Sequence, residues 1–230
     1  MAGKIGELLL RPDAFFRRLV EEPENLKIPA LIVIGGAIIY AVSAYLTSGL
    51  TFKIFGNVPE MASMAPILGI FGAVVAFFTF IILFWLIFSG AFYLISMAFS
   101  GSGEFKRTLQ CSGYGLIPVI IGSLLSLLIS LYYIPMIQVP VLTNIQDPAA
   151  IEAAIQQLMQ DTAFSELRLI TSIISIIFLI WSANLWIFGL KHARNLPLKQ
   201  AAIAVFIPVV VYIIFILYMA VAGIPGMGGT

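Results

Sequence analysis

The chain has 230 residues, of which 61% are hydrophobic and only 10% charged. A water-soluble domain carries about 25% charged residues, so this composition excludes a soluble globular enzyme and places the chain in a membrane. A net charge of +1 gives no basis for binding nucleic acid, and a single cysteine, Cys111, excludes an internal disulfide or a cysteine-rich metal site.

Residues 1–27 carry five basic and five acidic side chains, too long and too acidic a stretch for the n-region of a signal peptide. Pro12 suits a first helical position. Phe15 with Leu19, and Phe16 with Val20, then fall at i, i+4, while Arg17 and Arg18 turn away. The spacing predicts an amphipathic helix over 12–22. Two placements stay open for it: the membrane interface, or a seat beneath the bundle.

The first spanning segment is 28–50, which has no charge. Residues 51–65 read as a loop, with Phe52 and Phe55 beside Lys53 suited to an aromatic belt. Residues 66–100 form one uncharged run of 35 residues, roughly 50 Å as a helix. No polar residue offers a turn, so one long tilted helix is expected, with Ser89-Gly90 as a kink point. Residues 101–113 read as a polar loop.

The third span is 116–134, with Pro118 in its first turn and Ser123, Ser126 and Ser130 recurring along it. In the connection at 135–168, Asp147-Pro148 reads as an N-cap followed by Pro at N1, opening an amphipathic helix over 148–163. Ile151, Ile155, Leu158 and Thr162 line its apolar face. Spans four and five are 169–190 and 200–222, separated by a basic turn. Pro208 lies inside the fifth, where membrane helices tolerate a kink. The glycine-rich stretch 223–230 reads as a flexible tail.

The expected fold is therefore all-α: a five-helix transmembrane bundle. With the N-terminus cytoplasmic and the C-terminus outside, ten Lys and Arg fall on the cytoplasmic side and two opposite. The cell membrane is the expected location and the lipid bilayer the first partner. Five spans do not divide into two equal inverted repeats.

None of the five spans contains Asp, Glu, Lys, Arg or His. A proton-coupled pump or a charged channel ring needs such groups, so neither is expected. The single histidine, His192, lies in the basic turn, without a second histidine to share a catalytic or metal site. No catalytic activity, metal or cofactor is expected. Asn184 is the most polar residue within a span, suited to bonding a neighbouring helix or, with Ser123, Ser126 and Ser130, to lining a small pore.

The stretch Gly113-Tyr114-Gly115-Leu116-Ile117-Pro118 is specified beyond the needs of crossing a membrane. Its glycines permit unusual backbone or close contact, Pro118 opens a helix, and Tyr114 suits the headgroup layer. It reads either as a loop-to-helix entrance or as a cytoplasmic docking surface made with Lys106, Arg107, Lys191 and Arg194.

These elements together resemble the Yip family of Rab-interacting multi-span membrane proteins, in a prokaryotic-type form. The resemblance rests on Pro12-Asp13-Ala14-Phe15-Phe16, on Gly103-Glu104-Phe105-Lys106-Arg107-Thr108-Leu109 leading into Gly113–Pro118, and on a basic turn before a last span holding Pro208. In eukaryotes the family implies binding of prenylated Rab GTPases and membrane traffic. The Asp-Leu-Tyr-Gly-Pro element of that pattern is missing ahead of the first span, and no long cytoplasmic N-terminal domain is expected. The expectation is a membrane scaffold or adaptor that organises membrane, or recruits a cytoplasmic protein through 101–118 and 191–199. The alternative is a small channel or transporter for ions or neutral solutes. Homo-oligomers fit either.

Overall fold

The computed structural model describes residues 2–54, 59–142 and 147–221. Every regular element among them is helical. Two short helices, α1 (Ala2–Leu10) and α2 (Pro12–Glu21), precede α3 (Lys27–Ile54). A continuous rod follows: α4 (Pro59–Thr79), a π-helical stretch (Phe80–Ile87) and α5 (Phe88–Met97). Then come α6 (Phe105–Gly115), α7 (Ile117–Tyr133) with a closing 3-10 turn (Ile134–Met136), α8 (Pro148–Gln160), α9 (Thr162–Ala193) and α10 (Leu198–Val221). Five helices are long and apolar enough to cross a membrane: Lys27–Ile54, Ser63–Met97, Phe105–Met136, Thr162–Ala193 and Leu198–Ala220.

Several boundaries differ from the sequence reading. The proposed loop at 51–65 is mostly helix, because α3 runs on to Ile54 and α4 begins at Pro59. Phe55 and the tail 223–230 lie outside the described residues. The polar loop at 101–113 is also corrected. Only its first part is loop, and from Phe105 the chain is already helical. The long rod deviates not at Ser89-Gly90 but just before it, in the π-helical stretch. That stretch has a packing reason. Phe80, Phe84, Phe88 and Phe92 recur every four residues, which in an α-helix overshoots a full turn by about 40° per step. The wider π turns offset the drift, and successive rings stay 5.1, 5.9 and 5.8 Å apart between centroids.

The helix ends are chemically specified. Asp147 accepts from the Ala149 N–H, and Asp161 from the Phe164 N–H, so carboxylates cap α8 and α9. Asp161 therefore ends α8 before Thr162 and starts α9 seven residues ahead of the expected span. At the other end of α9, Asn195 takes φ of 52° and the Leu196 N–H reaches the Lys191 carbonyl at 3.0 Å. This is a Schellman closure, in which Asn tolerates the left-handed position.

Helix α9 is central, packed by α10, α7, α6 and α2, while α5 closes against α6 and α10. The main core joins the phenylalanine ladder to Leu179, Ala183, Trp186, Ala201, Val205 and Val209. Large apolar side chains cover the outside instead: Val211, Ile214 and Tyr218 on α10 are each 60% or more exposed. That is the surface a bilayer solvates. Helix α8 lies across the far end of the bundle. It buries Ala154 and Leu158 against Leu50, Ile54 and Leu167, whereas Ile155, expected on that face, is exposed.

Candidate functional site

The Gly113–Pro118 stretch forms a break between two collinear helices. The Leu116 N–H donates to the Gly113 carbonyl at 3.3 Å instead of continuing the α ladder back to Ser112, and Pro118 has no N–H at all. Freed backbone groups in a membrane need other partners. Here indoles and serines supply them. Trp186 Nε1 donates to the Ser112 carbonyl left open by Leu116, at 2.9 Å, and Trp85 Nε1 adds a bond to the Leu109 carbonyl within α6, at 2.9 Å. Ser182 Oγ accepts the Val119 N–H at 3.2 Å. Ser89 Oγ and Ser112 Oγ are hydrogen-bonded to each other.

The two glycines are there for close approach. Neither has a positive φ, so backbone freedom, one of the two roles read from the sequence, is not what they supply. A Cβ at Gly115 would stand 2.3 Å from Trp186 Cδ1. One at Gly113 would stand 2.7 Å from Pro29 Cβ and 3.0 Å from Trp85 Nε1. Trp186 is thereby pressed flat onto the break and is 1% exposed, with the Phe88 and Phe92 rings 5.4 and 5.3 Å away.

Directly beneath the break, the ends of α5, α6, α9 and α2 form a basic collar. Arg107 donates to the carbonyls of Leu19 (3.1 Å) and Glu22 (2.9 Å) and to Gln110 Oε1 (2.8 Å), so it holds the C-terminus of α2. The N-terminus of α2 is held by Asp13, whose Oδ1 lies 2.6 Å from Lys191 Nζ and 2.8 Å from His192 Nε2. Hydrogen bonds from Lys191 and then His192 keep the Asp13 carboxyl below the usual carboxylate range. Between these ties Phe15, Phe16 and Leu19 are buried against Cys111, Leu185 and Ala193. Of the two placements open to α2, the seat beneath the bundle is the one adopted by its apolar face.

Arg194 is only 2% exposed. It donates to Ser96 Oγ (2.9 Å), to the Gly101 carbonyl (2.6 Å) and to the Gly103 carbonyl, and it stacks 4.2 Å from the Tyr93 ring centroid. This fork folds the α5–α6 connection onto the end of α9. Gly103 makes it possible, with φ of 106° and no room for a Cβ, which would meet the Ala193 carbonyl at 2.7 Å.

A family model described as the Yip1 domain matches residues 6–220, from α1 to the end of α10 and across both the break and the collar. The chain belongs to the Yip1 domain family. An uncharacterised protein of Methanocaldococcus jannaschii is similar to it, 40% identical over 126 residues, which cover 55% of this chain and 87% of that protein. No solved structure matches. Yip1 domain proteins are membrane proteins, in keeping with the five spanning-length helices.

The residues singled out from sequence divide in this Yip1 domain as follows. Lys106, Arg107, Tyr114, Lys191 and Arg194 do gather at one end of the bundle. Four of them work within the chain: Tyr114 is half-buried with its ring 5.4 Å from that of Phe15, and Arg107, Lys191 and Arg194 hold α2 and the α5–α6 connection. Lys106 is the freer one, 52% exposed and 3.7 Å from Glu24. Gly113, Gly115 and Pro118 form the break. The polar residues of the alternative reading do not share one environment. Ser123 and Ser130 donate to the Val119 and Ser126 carbonyls of their own helix at 3.0 and 2.8 Å, while Asn184 is exposed between two fully buried neighbours, Ala183 and Leu185.

Sequence reasoning missed Trp85, Trp186, Ser112 and Ser182, and took Ser89 only as a kink point and Asp13 only as part of a motif. One signal was available. An indole in an uncharged span needs an acceptor for its N–H, and a proline-bearing helix entrance next to small residues is a place to find one.

Proposed function

We propose that this Yip1 domain protein is a non-catalytic membrane scaffold, with its basic collar in the cytoplasm and a partner protein recruited there. The observation that carries the reading is the collar itself. Three independent ties, at Arg107, at Asp13 and at Arg194, cross-link four chain segments into one fixed platform at the end of the bundle. A platform of that kind presents a preformed surface, which lowers the ordering cost of binding. Phe105 and Lys106 stand out from it, 38% and 52% exposed. The excess of Lys and Arg at this end supports a cytoplasmic orientation and a place in the cell membrane. Replacing Phe105 with a photo-reactive residue in native membranes tests the reading. Capture of one discrete soluble protein, lost on Lys106→Ala, supports it. Capture of lipid or of the chain itself alone overturns it.

A small permeation pathway is the second reading. It is favoured by one observation: Ser126 Oγ is buried without a hydrogen-bond partner among the described residues, as a hydroxyl facing transient water would be. Reconstituted liposomes would then show solute flux that Ser126→Ala diminishes. Flux equal to that of empty liposomes removes this reading.

A further inference from the structure

Seating α2 under the bundle leaves a different apolar surface without protein cover. Leu10, at the elbow between α1 and α2, is 83% exposed, more than any other large hydrophobic residue described. Ile5 on the same helix is 46% exposed, while Leu8 between them is buried at 1%. The elbow is not loose. The Arg11 N–H donates to the Glu7 carbonyl at 2.7 Å, the Phe15 N–H to the Arg11 carbonyl at 3.1 Å, and Pro12 follows at the first position of α2. Arg18 is paired with Glu7, which ties α1 to α2. Leu10 is therefore held outward by a fixed corner.

Charge and position identify what lies opposite. Arg11 and Arg17 are exposed and have no carboxylate partner among the described residues. The cluster that holds α1 and α2 also includes Ile117 and Phe188, which belong to spanning helices near the start of α7 and the end of α9. The elbow is thus carried at the edge of the membrane-crossing bundle. An exposed apolar side chain flanked by unpaired arginines, carried at the edge of a membrane-crossing bundle, meets the headgroup layer, and anionic lipid strengthens its hold.

We propose that the α1–α2 elbow docks on the anionic headgroups of the protein's own membrane, with Leu10 entering the acyl boundary and Arg11 and Arg17 paired with lipid phosphates. The proposal stands whether or not the collar recruits a protein partner. Its consequence is mechanical: the bilayer surface holds α1, and α1 holds α2 on the break.

The test uses the full chain in nanodiscs, with Cys111→Ala to leave one thiol and Leu10→Cys carrying an environment-sensitive fluorophore. The tails of the lipids are brominated to quench it. The expected result is strong quenching in discs containing phosphatidylglycerol and weak quenching in phosphatidylcholine alone. Each of Arg11→Gln and Arg17→Gln lowers the docked-to-free ratio about fivefold, the contribution of one basic residue near an anionic surface. A label that is unquenched in both lipids, or quenched to the same degree in both, overturns the proposal. The labelled position is 83% exposed, and the Cys111→Ala background alone, compared with the unaltered chain by tryptophan fluorescence, shows whether the fold is kept.

Discussion

Replacing Gly115 with alanine tests the packing of the break most directly. The new Cβ would lie 2.3 Å from Trp186 Cδ1 and 2.5 Å from Nε1, so the indole must move. It has nowhere to go without disturbing Phe88 and Phe92, and its 2.9 Å bond to the Ser112 carbonyl is lost or stretched. Overpacking of this kind costs about 1–3 kcal/mol. The hydrogen bond adds about 1 kcal/mol. Alanine's better helix propensity returns about 1 kcal/mol. The net expectation is a loss of about 1–3 kcal/mol. Gly35→Ala is the control, because its Cβ meets nothing within 4 Å and only the propensity gain remains. Unfolding in mixed micelles with rising dodecyl sulfate, followed by tryptophan fluorescence, reads both. A Gly115→Ala midpoint equal to that of Gly35→Ala would falsify the account. Trp186→Phe should lessen the effect of Gly115→Ala, since the two changes share one contact and are not additive.

Arg194→Lys removes the fork that spans Ser96, Gly101 and Gly103, and should lower stability in the same assay by about 2–4 kcal/mol; a change below about 0.5 kcal/mol would contradict the described geometry. The pH behaviour of α2 follows from Asp13. Its carboxyl pKa is lowered in the folded state, so its stabilising contribution is complete above the ordinary value of 3.8 and is lost as pH falls through the lowered one. Hydrogen exchange of α2 amides, corrected for its intrinsic pH dependence, should therefore quicken only at acid pH, and Asp13→Asn should be fast at every pH. Ser123→Ala and Ser130→Ala should each shift stability by less than about 0.5 kcal/mol, because those hydroxyls bond carbonyls already paired within the helix. A larger loss, or a change in flux, would restore a role for that stripe.

Much of the site was legible as positions but not as roles. Gly113, Gly115 and Pro118 stood out because two glycines and a proline fall within six residues at a helix entrance. Their purpose depends on Trp186, far along the chain, whose approach no local pattern encodes. Arg107 and Arg194 read as free cations because their acceptors are backbone carbonyls, and every residue offers one of those. Asp13 could not be matched to Lys191 and His192 before the chain had folded.

What the sequence determined by itself is the class and the number of helices long and apolar enough to cross a membrane. Apolar runs of spanning length can only be helices in lipid, since every backbone group must be bonded within its own segment. The cap at Asp147 is local too, a side chain bonding a backbone N–H two residues on, whereas Asp161, which the helix expected over 148–163 ran through, shows itself as a cap only in the structure. The tertiary structure alone decided where the third span begins and what α2 covers. It also decided which cations stay free for a partner or a lipid. Those outcomes depend on contacts between residues distant in the chain, and in a membrane such contacts come from close packing and from the capture of freed carbonyls, neither of which leaves a periodic signature.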